Sequence, residues 1–237
     1  MCQFKSGIIL KDRVFLPDYD SHTEMLEELK IKDTRANAER LFIRAELLPP
    51  RNDIFAPIEE WSFQVDQDIL PDWYVASYDE QRMRDAVKEW AKNHIHMGVD
   101  NLKIDSGKNH YIKDCKNVVI CDSASVKYIY GSASVKYICD SASVENICDS
   151  ASVKYICDSA SVKYICGSAS VENIYGSASV ENICDLAIVA SSPHYDWKNK
   201  DKIILSQNAT FKDNRTKTLW QSGDWKVQII KGDKNAE

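Results

Sequence analysis

The pattern of apolar and polar residues predicts four strands in the first part of the chain. Apolar residues alternate with polar ones over residues 41–47 and 61–65, which is typical of half-buried strands. Two shorter apolar runs, at residues 8–10 and 13–16, predict strands joined by a tight turn.

Two sequences of the form Ser-x-x-Glu predict helices between and after these strands. They lie at residues 21–24 and 77–80 and have the form of capping boxes. We expect the first helix to end at roughly residue 30 and the second near Gly98. Strands and helices mixed in this way predict an α+β domain over residues 1–110.

A nine-residue unit is then repeated seven times between residues 122 and 184. Each copy reads Asp or Gly, Ser-Ala-Ser-Val, Lys or Glu, Tyr or Asn, Ile, and Cys or Tyr. Inward positions tolerate the least change, so the invariant columns of Ala124, Val126 and Ile129 are predicted to line the core. Ala124 and Val126 share one face of a strand and Ile129 has the opposite parity, so we expect a corner between them.

The charged column of the repeat indicates how many units make one coil. Two units, or 18 residues, produce a stack of alternating charges: Lys127, Glu145, Lys163 and Glu181. Three units per coil would stack like charges instead. Neighbouring coils lie about 4.8 Å apart, where opposite charges attract and like charges repel. We therefore predict a parallel β-solenoid over residues 111–192, with two nine-residue units in each 18-residue coil.

The calcium-binding β-roll also winds nine-residue units two to a coil, with the motif G-G-x-G-x-D-x-U-x. The present repeat has a single Gly or Asp where that motif has three Gly and one Asp. The glycine turns that supply backbone ligands are missing, so we predict no calcium.

Six of the eight cysteines occupy the last column of the repeat: Cys121, Cys139, Cys148, Cys157, Cys166 and Cys184. Tyr130 and Tyr175 occupy the same column. A position that accepts Tyr is a poor choice for an obligatory disulfide partner or metal ligand. We therefore predict reduced thiols, no metal and no cofactor.

Residues 193–237 predict a small antiparallel β cap. Strands are expected at residues 202–206, 216–221 and 225–230, with turns at residues 212–214 and 222–224.

Composition and charge bear on the partners. The net charge of -6 gives no indication of a nucleic-acid or anionic-membrane partner. No apolar run approaches the roughly 18 residues of a membrane span, and the first residues lack the pattern of a signal peptide. We expect a cytoplasmic protein.

The segments MCQFKS, VFLPDYDSHTEMLEEL and VDQDILPDWY, followed by nonapeptides with a V-x-x-I core, resemble a group of uncharacterised proteins of phages and of bacteria that contain prophages. The resemblance covers most of the chain. It implies a phage–host context, but no activity or site residue.

Cys2 is the candidate catalytic residue. Removal of the initiator Met would leave a terminal thiol with its own α-amino group as base, which is the arrangement of N-terminal nucleophile enzymes. Class II amidotransferases and proteins that crosslink abasic DNA also begin Met-Cys, typically with Gly next, where this chain has Gln3. The alternative is an ordinary small residue at the start of a strand.

Three other groups of polar residues have both a chemical and a structural interpretation. His94 and His96 would hold a metal if both lay on one strand face, but would diverge at a helix end. The acidic loop Asp66, Asp68 and Asp72 would either gather a cation or be solvated. Arg44 and Glu46 are expected to pair across a sheet surface.

These features favour a non-catalytic interaction protein in which a rigid solenoid is a spacer or a binding face. Its expected partner is another protein or a second copy of the chain. The alternative function is an enzyme that uses Cys2 as its nucleophile.

Overall fold

The computed structural model describes residues 5–195 and 203–223. The chain begins with a four-stranded antiparallel sheet in the order β2-β1-β3-β4. The strands lie where the apolar pattern predicts them, and two short 3-10 turns, Pro50–Asn52 and Ile58–Glu60, connect the last two. The strands are β1 (Lys5–Leu10), β2 (Val14–Phe15), β3 (Phe42–Leu48) and β4 (Ser62–Val65).

Three helices pack against this sheet: α1 (His22–Glu28), α2 (Arg35–Ala38) and α3 (Ala76–His94). The first two cover the face that contains Phe42, and α3 covers the opposite face, which contains Ile43. Phe42 and Ile43 are both 0% exposed. The predicted alternation is confirmed over residues 43–47, where Ile43, Ala45 and Leu47 are buried between partly exposed polar residues, and only Phe42 is buried on the other face.

The first predicted helix start is confirmed and the second is displaced. Ser21 caps α1 by accepting a hydrogen bond from the Glu24 backbone N–H at 3.3 Å. α3 begins after Val75, two residues before the predicted cap, and the Asp79 carboxylate accepts from the Val75 N–H at 2.9 Å. α3 ends at His94, before Gly98, because Ile95 already has extended backbone. None of the described helices is long and apolar enough to cross a membrane.

The rest of the described chain winds into a parallel β-solenoid with two sheets. The first solenoid sheet contains β5 (Ile95–Met97), β7 (His110–Lys113), β9 (Ser125–Tyr130), β11 (Ser143–Ile147), β13 (Ser161–Ile165), β15 (Ser179–Ile183) and β17 (Ile204–Leu205). The second contains β6 (Lys103–Ile104), β8 (Val118–Ile120), β10 (Ser134–Ile138), β12 (Ser152–Ile156), β14 (Ser170–Gly176), β16 (Ile188–Tyr195), β18 (Thr210–Asp213) and β19 (Thr218–Gln221).

The coil of two units is confirmed by the strand pairing. Val153 in β12 pairs with Val135 on one side and with Val171 on the other, so each residue stacks on the one 18 positions away. Strands of successive units alternate between the two sheets. One unit is therefore half a coil.

The predicted core columns are also confirmed. Ala124, Val126 and Ile129 are 0%, 1% and 0% exposed, and their equivalents in later units are buried in the same cluster. The corner expected between the Val and Ile columns is a local break within one strand instead. The pairing of β9 with β11 passes from Val126 to Tyr128 and omits Lys127, which lets both apolar columns face inward.

The corners of the coil lie at the first column of the repeat. Its residues have positive φ, for example +54° at Asp122 and +57° at Asp149, a region that L-residues other than Asn and Asp seldom adopt. Gly occupies the same column at Gly131, with φ +66°. The backbone conformation therefore explains why this column contains Asp or Gly.

The solenoid extends beyond the repeated sequence at both ends. Parallel stacking begins at β5, within the predicted α+β segment 1–110, although the residues of this first coil do not have the repeat sequence. At the other end β17 still pairs in parallel with the repeat strand β15, and β18 pairs in parallel with β16. The antiparallel arrangement expected for the cap is found between β18 and β19. β18 reaches Asp213, so the turn predicted at 212–214 comes slightly later. The strand predicted at 225–230 lies outside the described residues.

Candidate functional site

The outer face of the second solenoid sheet bears a row of aromatic and cationic side chains. The rings of Tyr137 and Tyr155 stack at 5.2 Å, and the Tyr175 ring meets Tyr155 edge-on at 5.9 Å. Lys136 and Lys154 are exposed, and their ammonium groups lie 5.8 and 5.3 Å from the centroid of the neighbouring tyrosine ring. We call these five residues the tyrosine strip.

On the first solenoid sheet, aromatic residues near the start of the solenoid make contacts within the molecule. The Tyr128 ring stacks on Tyr111 at 6.0 Å, and Tyr111 meets Trp90 of α3 edge-on at 6.3 Å. Tyr130 contacts Phe55 of the N-terminal domain in the same way at 6.1 Å. Aromatic residues of the first coils therefore attach the N-terminal domain to the first sheet, and the tyrosine strip lies on the other sheet.

The predicted column of alternating charge lines a shallow groove of about 270 Å³ on the first sheet. The groove contains Lys127, Glu145, Lys163 and Glu181, in the predicted order. The ion pairs closer than 4.0 Å in the described parts of the chain do not include this column. The charges are thus stacked as expected, but solvated rather than closed into salt bridges. Lys163 lies 5.3 Å from the Tyr164 ring instead.

Cys2 lies outside the described residues. The nearest described residue of β1, Lys5, is 1% exposed, and its Nζ donates to Asp20 Oδ1 at 2.6 Å and to the Tyr19 carbonyl at 3.2 Å. Burial lowers the pKa of Lys5, and the Asp20 carboxylate opposes that effect. This pair fixes the start of β1 against the loop before α1.

The acidic loop contributes one of its three predicted residues to a polar cluster. Asp66 Oδ2 lies 3.3 Å from His22 Nδ1, and ligand atoms of His22, Glu46 and Asp66 lie within 4.8 Å of one another. Asp68 and Asp72 do not belong to this cluster. Burial raises the pKa of Glu46.

The pairing expected between Arg44 and Glu46 is wrong. Arg44 Nη2 contacts Asp33 instead, while Glu46 belongs to the cluster with His22. The pattern of alternation places both side chains on one face, but it contains no signal for a partner so far away in the sequence.

His94 and His96 form a stack with His110, which sequence reasoning missed. The ring centroids of His110 lie 5.3 Å from His94 and 5.5 Å from His96. His94 Nε2 lies 2.9 Å from Asp18 Oδ1, and His110 Nε2 lies 2.9 Å from the Ser106 carbonyl oxygen. Burial lowers the pKa of His96 to about 4, with a further contribution from its histidine neighbours. The stack therefore joins α3 to the first coils.

The cysteines of the described ranges are all free thiols. The reduced state expected for the last column of the repeat stays a prediction. Cys115, outside that column, is buried, and its Sγ lies 3.4 Å from the His96 carbonyl oxygen.

Comparison with protein-family models, with curated proteins and with solved structures finds no significant match in any of the three.

Proposed function

We propose that this chain is a non-catalytic interaction protein whose solenoid presents the tyrosine strip to a protein partner. The single observation that supports the proposal is the stack of Tyr137 and Tyr155 on an outer sheet face, with a lysine beside each ring. In this proposal the first sheet holds the N-terminal domain and the second sheet holds the partner.

The physical chemistry of the strip suits recognition of a protein surface. Tyrosine is enriched at interfaces because it buries a large area at a small cost in conformational entropy. Here the ring-to-ring contact at 5.2 Å and the regular coil already restrict Tyr137 and Tyr155. Preorganised side chains lose less freedom when a partner binds, so more of the contact energy appears as affinity.

The charges of the strip indicate the chemistry of the partner. Lys136 and Lys154 are both exposed and stack on adjacent coils, and Glu172 follows on the next coil. A partner surface with carboxylates opposite the two lysines and apolar groups opposite the rings would complement this face. We place this interaction in the cytoplasm and in the phage–host context that the sequence resemblance implies.

The repeat itself supplies a substitution that tests the strip. Asn occupies the tyrosine column at Asn146, Asn173 and Asn182, so Tyr→Asn is compatible with the coil. The test variant is Tyr137→Asn/Tyr155→Asn, and the matched control is Tyr164→Asn on the first sheet. Partners captured from a host-cell extract are identified by mass spectrometry, and self-association is measured by sedimentation velocity.

We expect the double variant to lose a partner, or a self-association, that the wild type and the control retain. Tyrosine is enriched among the few interface residues whose truncation costs more than about 1 kcal/mol, so loss of both rings should raise the dissociation constant at least about tenfold. Equal binding by the double variant and the wild type would refute the strip as the binding face. A phenotype lost with Cys2→Ala but retained with Tyr137→Asn/Tyr155→Asn would favour the enzyme that uses Cys2.

A further inference from the structure

The 18-residue coil sorts the last column of the repeat onto two opposite corners of the solenoid. One corner, which we call the first thiol column, contains Cys121, Cys139 and Cys157, followed by Tyr175. The other, the second thiol column, contains Tyr130 followed by Cys148, Cys166 and Cys184. Each tyrosine lies at the end of its column, so three thiols follow one another without interruption on each corner. The presence of Tyr in the sequence column is therefore no argument against a metal site.

The sulfur atoms within a column lie close together, because successive coils are in register. Cys148 Sγ and Cys166 Sγ are 2.9 Å apart, without a bond between them. The ligand atoms of Cys166, Cys184 and Asp185 all lie within 4.8 Å of one another. The same holds for Cys139, Cys157 and Asp158 on the other corner.

The carboxylate of each group is held in place by the backbone of the preceding coil. Asp185 Oδ2 accepts a hydrogen bond from the Gly167 N–H at 2.8 Å, and Asp158 Oδ2 accepts from the Asp140 N–H at 3.3 Å. These bonds orient the carboxylates beside the thiols. Outer hydrogen bonds of this kind commonly fix the ligands of metal sites.

We propose that each thiol column binds one thiophilic divalent cation of the Zn²⁺ class. The ligands are Cys166, Cys184 and Asp185 on the second column, and Cys139, Cys157 and Asp158 on the first. Zn–S distances of about 2.3 Å at a tetrahedral ion place two sulfurs about 3.8 Å apart, within the reach of residues on neighbouring coils. Water or the third thiol of the column would occupy the fourth position.

The chemistry of the ligands predicts how the affinity depends on pH. Because the thiolate is the ligand, the cation must displace a proton from each sulfur, and the affinity should increase with pH.

The test uses the intact, reduced protein and Cd²⁺ as the probe, since thiolate-to-cadmium charge transfer absorbs in the ultraviolet. We expect the band to rise until two ions are bound per chain. Cys166→Ser/Cys184→Ser should remove one of the two ions, and adding Cys139→Ser/Cys157→Ser should remove the second. Circular dichroism before the titration shows that each variant is folded.

A carboxylate pair tests the geometry without changing a thiol. Asp185→Asn removes a proposed ligand, whereas Asp149→Asn changes a corner residue that does not belong to either ligand group. Asn is compatible with the positive φ of both positions. We expect the cadmium affinity of the second column to fall at least tenfold in Asp185→Asn, and that of Asp149→Asn to equal the wild type.

Three results of the Cd²⁺ titrations would overturn the proposal. They are the absence of a charge-transfer band at stoichiometric Cd²⁺, a band that persists in the variant with four serines, and equal affinities for Asp185→Asn and Asp149→Asn. Zn²⁺ competition against the bound Cd²⁺ then measures the affinity for zinc, and failure of Zn²⁺ to compete would also reject the assignment.

Discussion

Substitution of Asp149 tests why the first column of the repeat contains Asp or Gly. Asp149 has φ +57°, and its Oδ2 accepts a hydrogen bond from the Gly131 N–H at 3.1 Å. Asp149→Ala keeps the corner in the left-handed region, which costs an L-residue about 1–2 kcal/mol. It also removes the hydrogen bond, whose net contribution is about 0.5–1.5 kcal/mol and belongs at the low end here because the residue is exposed.

The two terms can be separated with a short series at this position. Asp149→Asn keeps both the conformation and an acceptor oxygen, so its stability should lie within about 0.5 kcal/mol of the wild type. Asp149→Gly has no steric penalty at positive φ but loses the hydrogen bond and is more flexible when unfolded, so we expect a loss of about 1 kcal/mol. Asp149→Ala should lose about 2 kcal/mol.

Urea unfolding followed by circular dichroism measures the series, with Ser150→Ala as the control. Ser150 is the next residue and is exposed. Its backbone N–H donates a hydrogen bond to the Gly131 carbonyl oxygen of the preceding coil, and an alanine at this position retains that bond. We expect the order Asn, Gly, Ala of decreasing midpoint, at a constant slope. An alanine variant as stable as the glycine variant would refute the argument from φ. An asparagine variant as unstable as alanine would show that the charge, rather than the shape, of Asp149 matters.

Three further predictions follow from the core, the histidine stack and the coil. Val153 is 1% exposed, so Val153→Asp buries a carboxylate and should lower the free energy of unfolding in urea by several kcal/mol. The control Lys154→Gln changes an exposed neighbour and should alter the stability by less than about 0.5 kcal/mol, so equal effects would contradict the face assignment. Burial lowers the pKa of His96 from 6.5 to about 4, so its neutral form contributes stability above pH 6.5 that is lost as the pH falls from 6.5 towards 4, by about 1–2 kcal/mol when its partial exposure is allowed for. In thermal melts between pH 7 and about 4.5, the melting temperature of His96→Gln should therefore depend less steeply on pH than that of the wild type. Deleting one unit, residues 149–157, should leave every unit stacked on the second unit before it but turn the C-terminal strands by half a coil relative to the N-terminal domain, whereas deleting residues 140–157 should keep their relative orientation. Distances between spin labels on Lys11 and Leu219 distinguish the two deletions, and equal distances in both would contradict the coil of two units.

The repeat was the most predictable part of the fold, because one physical constraint acts on it many times. The stacking of Lys127, Glu145 and Lys163 gave the coil length correctly, although these side chains do not form close ion pairs. Avoidance of like charges was sufficient for the inference. A salt bridge was not needed.

The first coil and the histidine stack could not be predicted from the sequence. β5 and β6 form a coil without the wording of the repeat, and the signal of a two-residue strand such as Lys103–Ile104 is too weak to recognise. His110 lies beside His96 because β7 stacks on β5, a contact that depends on the position of that coil. Periodicity reports which residues face inward, but it does not report where a stack begins.

The grouping of the thiols is also not visible in the sequence alone. In sequence order, two Tyr interrupt the six Cys of the last column at irregular intervals, which suggests that no individual thiol is required. The coil separates them into two groups of three, each ended by a tyrosine. A distribution that looks random in one dimension can therefore be ordered in three, once the number of residues per coil is known.

Variation within the repeat identifies its surfaces better than invariance does. The second column is Ser in all seven units and exposed in each, for example at Ser123 and Ser150. Its backbone N–H makes the contact to the neighbouring coil, as Ser141 does to the Asp122 carbonyl, and any residue but proline would make it. At the end of the repeat Leu186 replaces this serine and is 59% exposed.

Burial explains the invariant Ala, Val and Ile, but it does not explain an invariant exposed serine, for which recent duplication of the unit is sufficient. Duplication makes all columns alike, so the columns in which the units now differ are those where change has since been accepted or selected. Three of them, the Lys/Glu, Tyr/Asn and Cys/Tyr columns, form the charged groove, the tyrosine strip and the thiol columns. The differences are also arranged by the coil, since the charges alternate along the groove and the tyrosines end the thiol columns. This arrangement is the reason for directing the binding experiments at the variable columns rather than at the invariant ones.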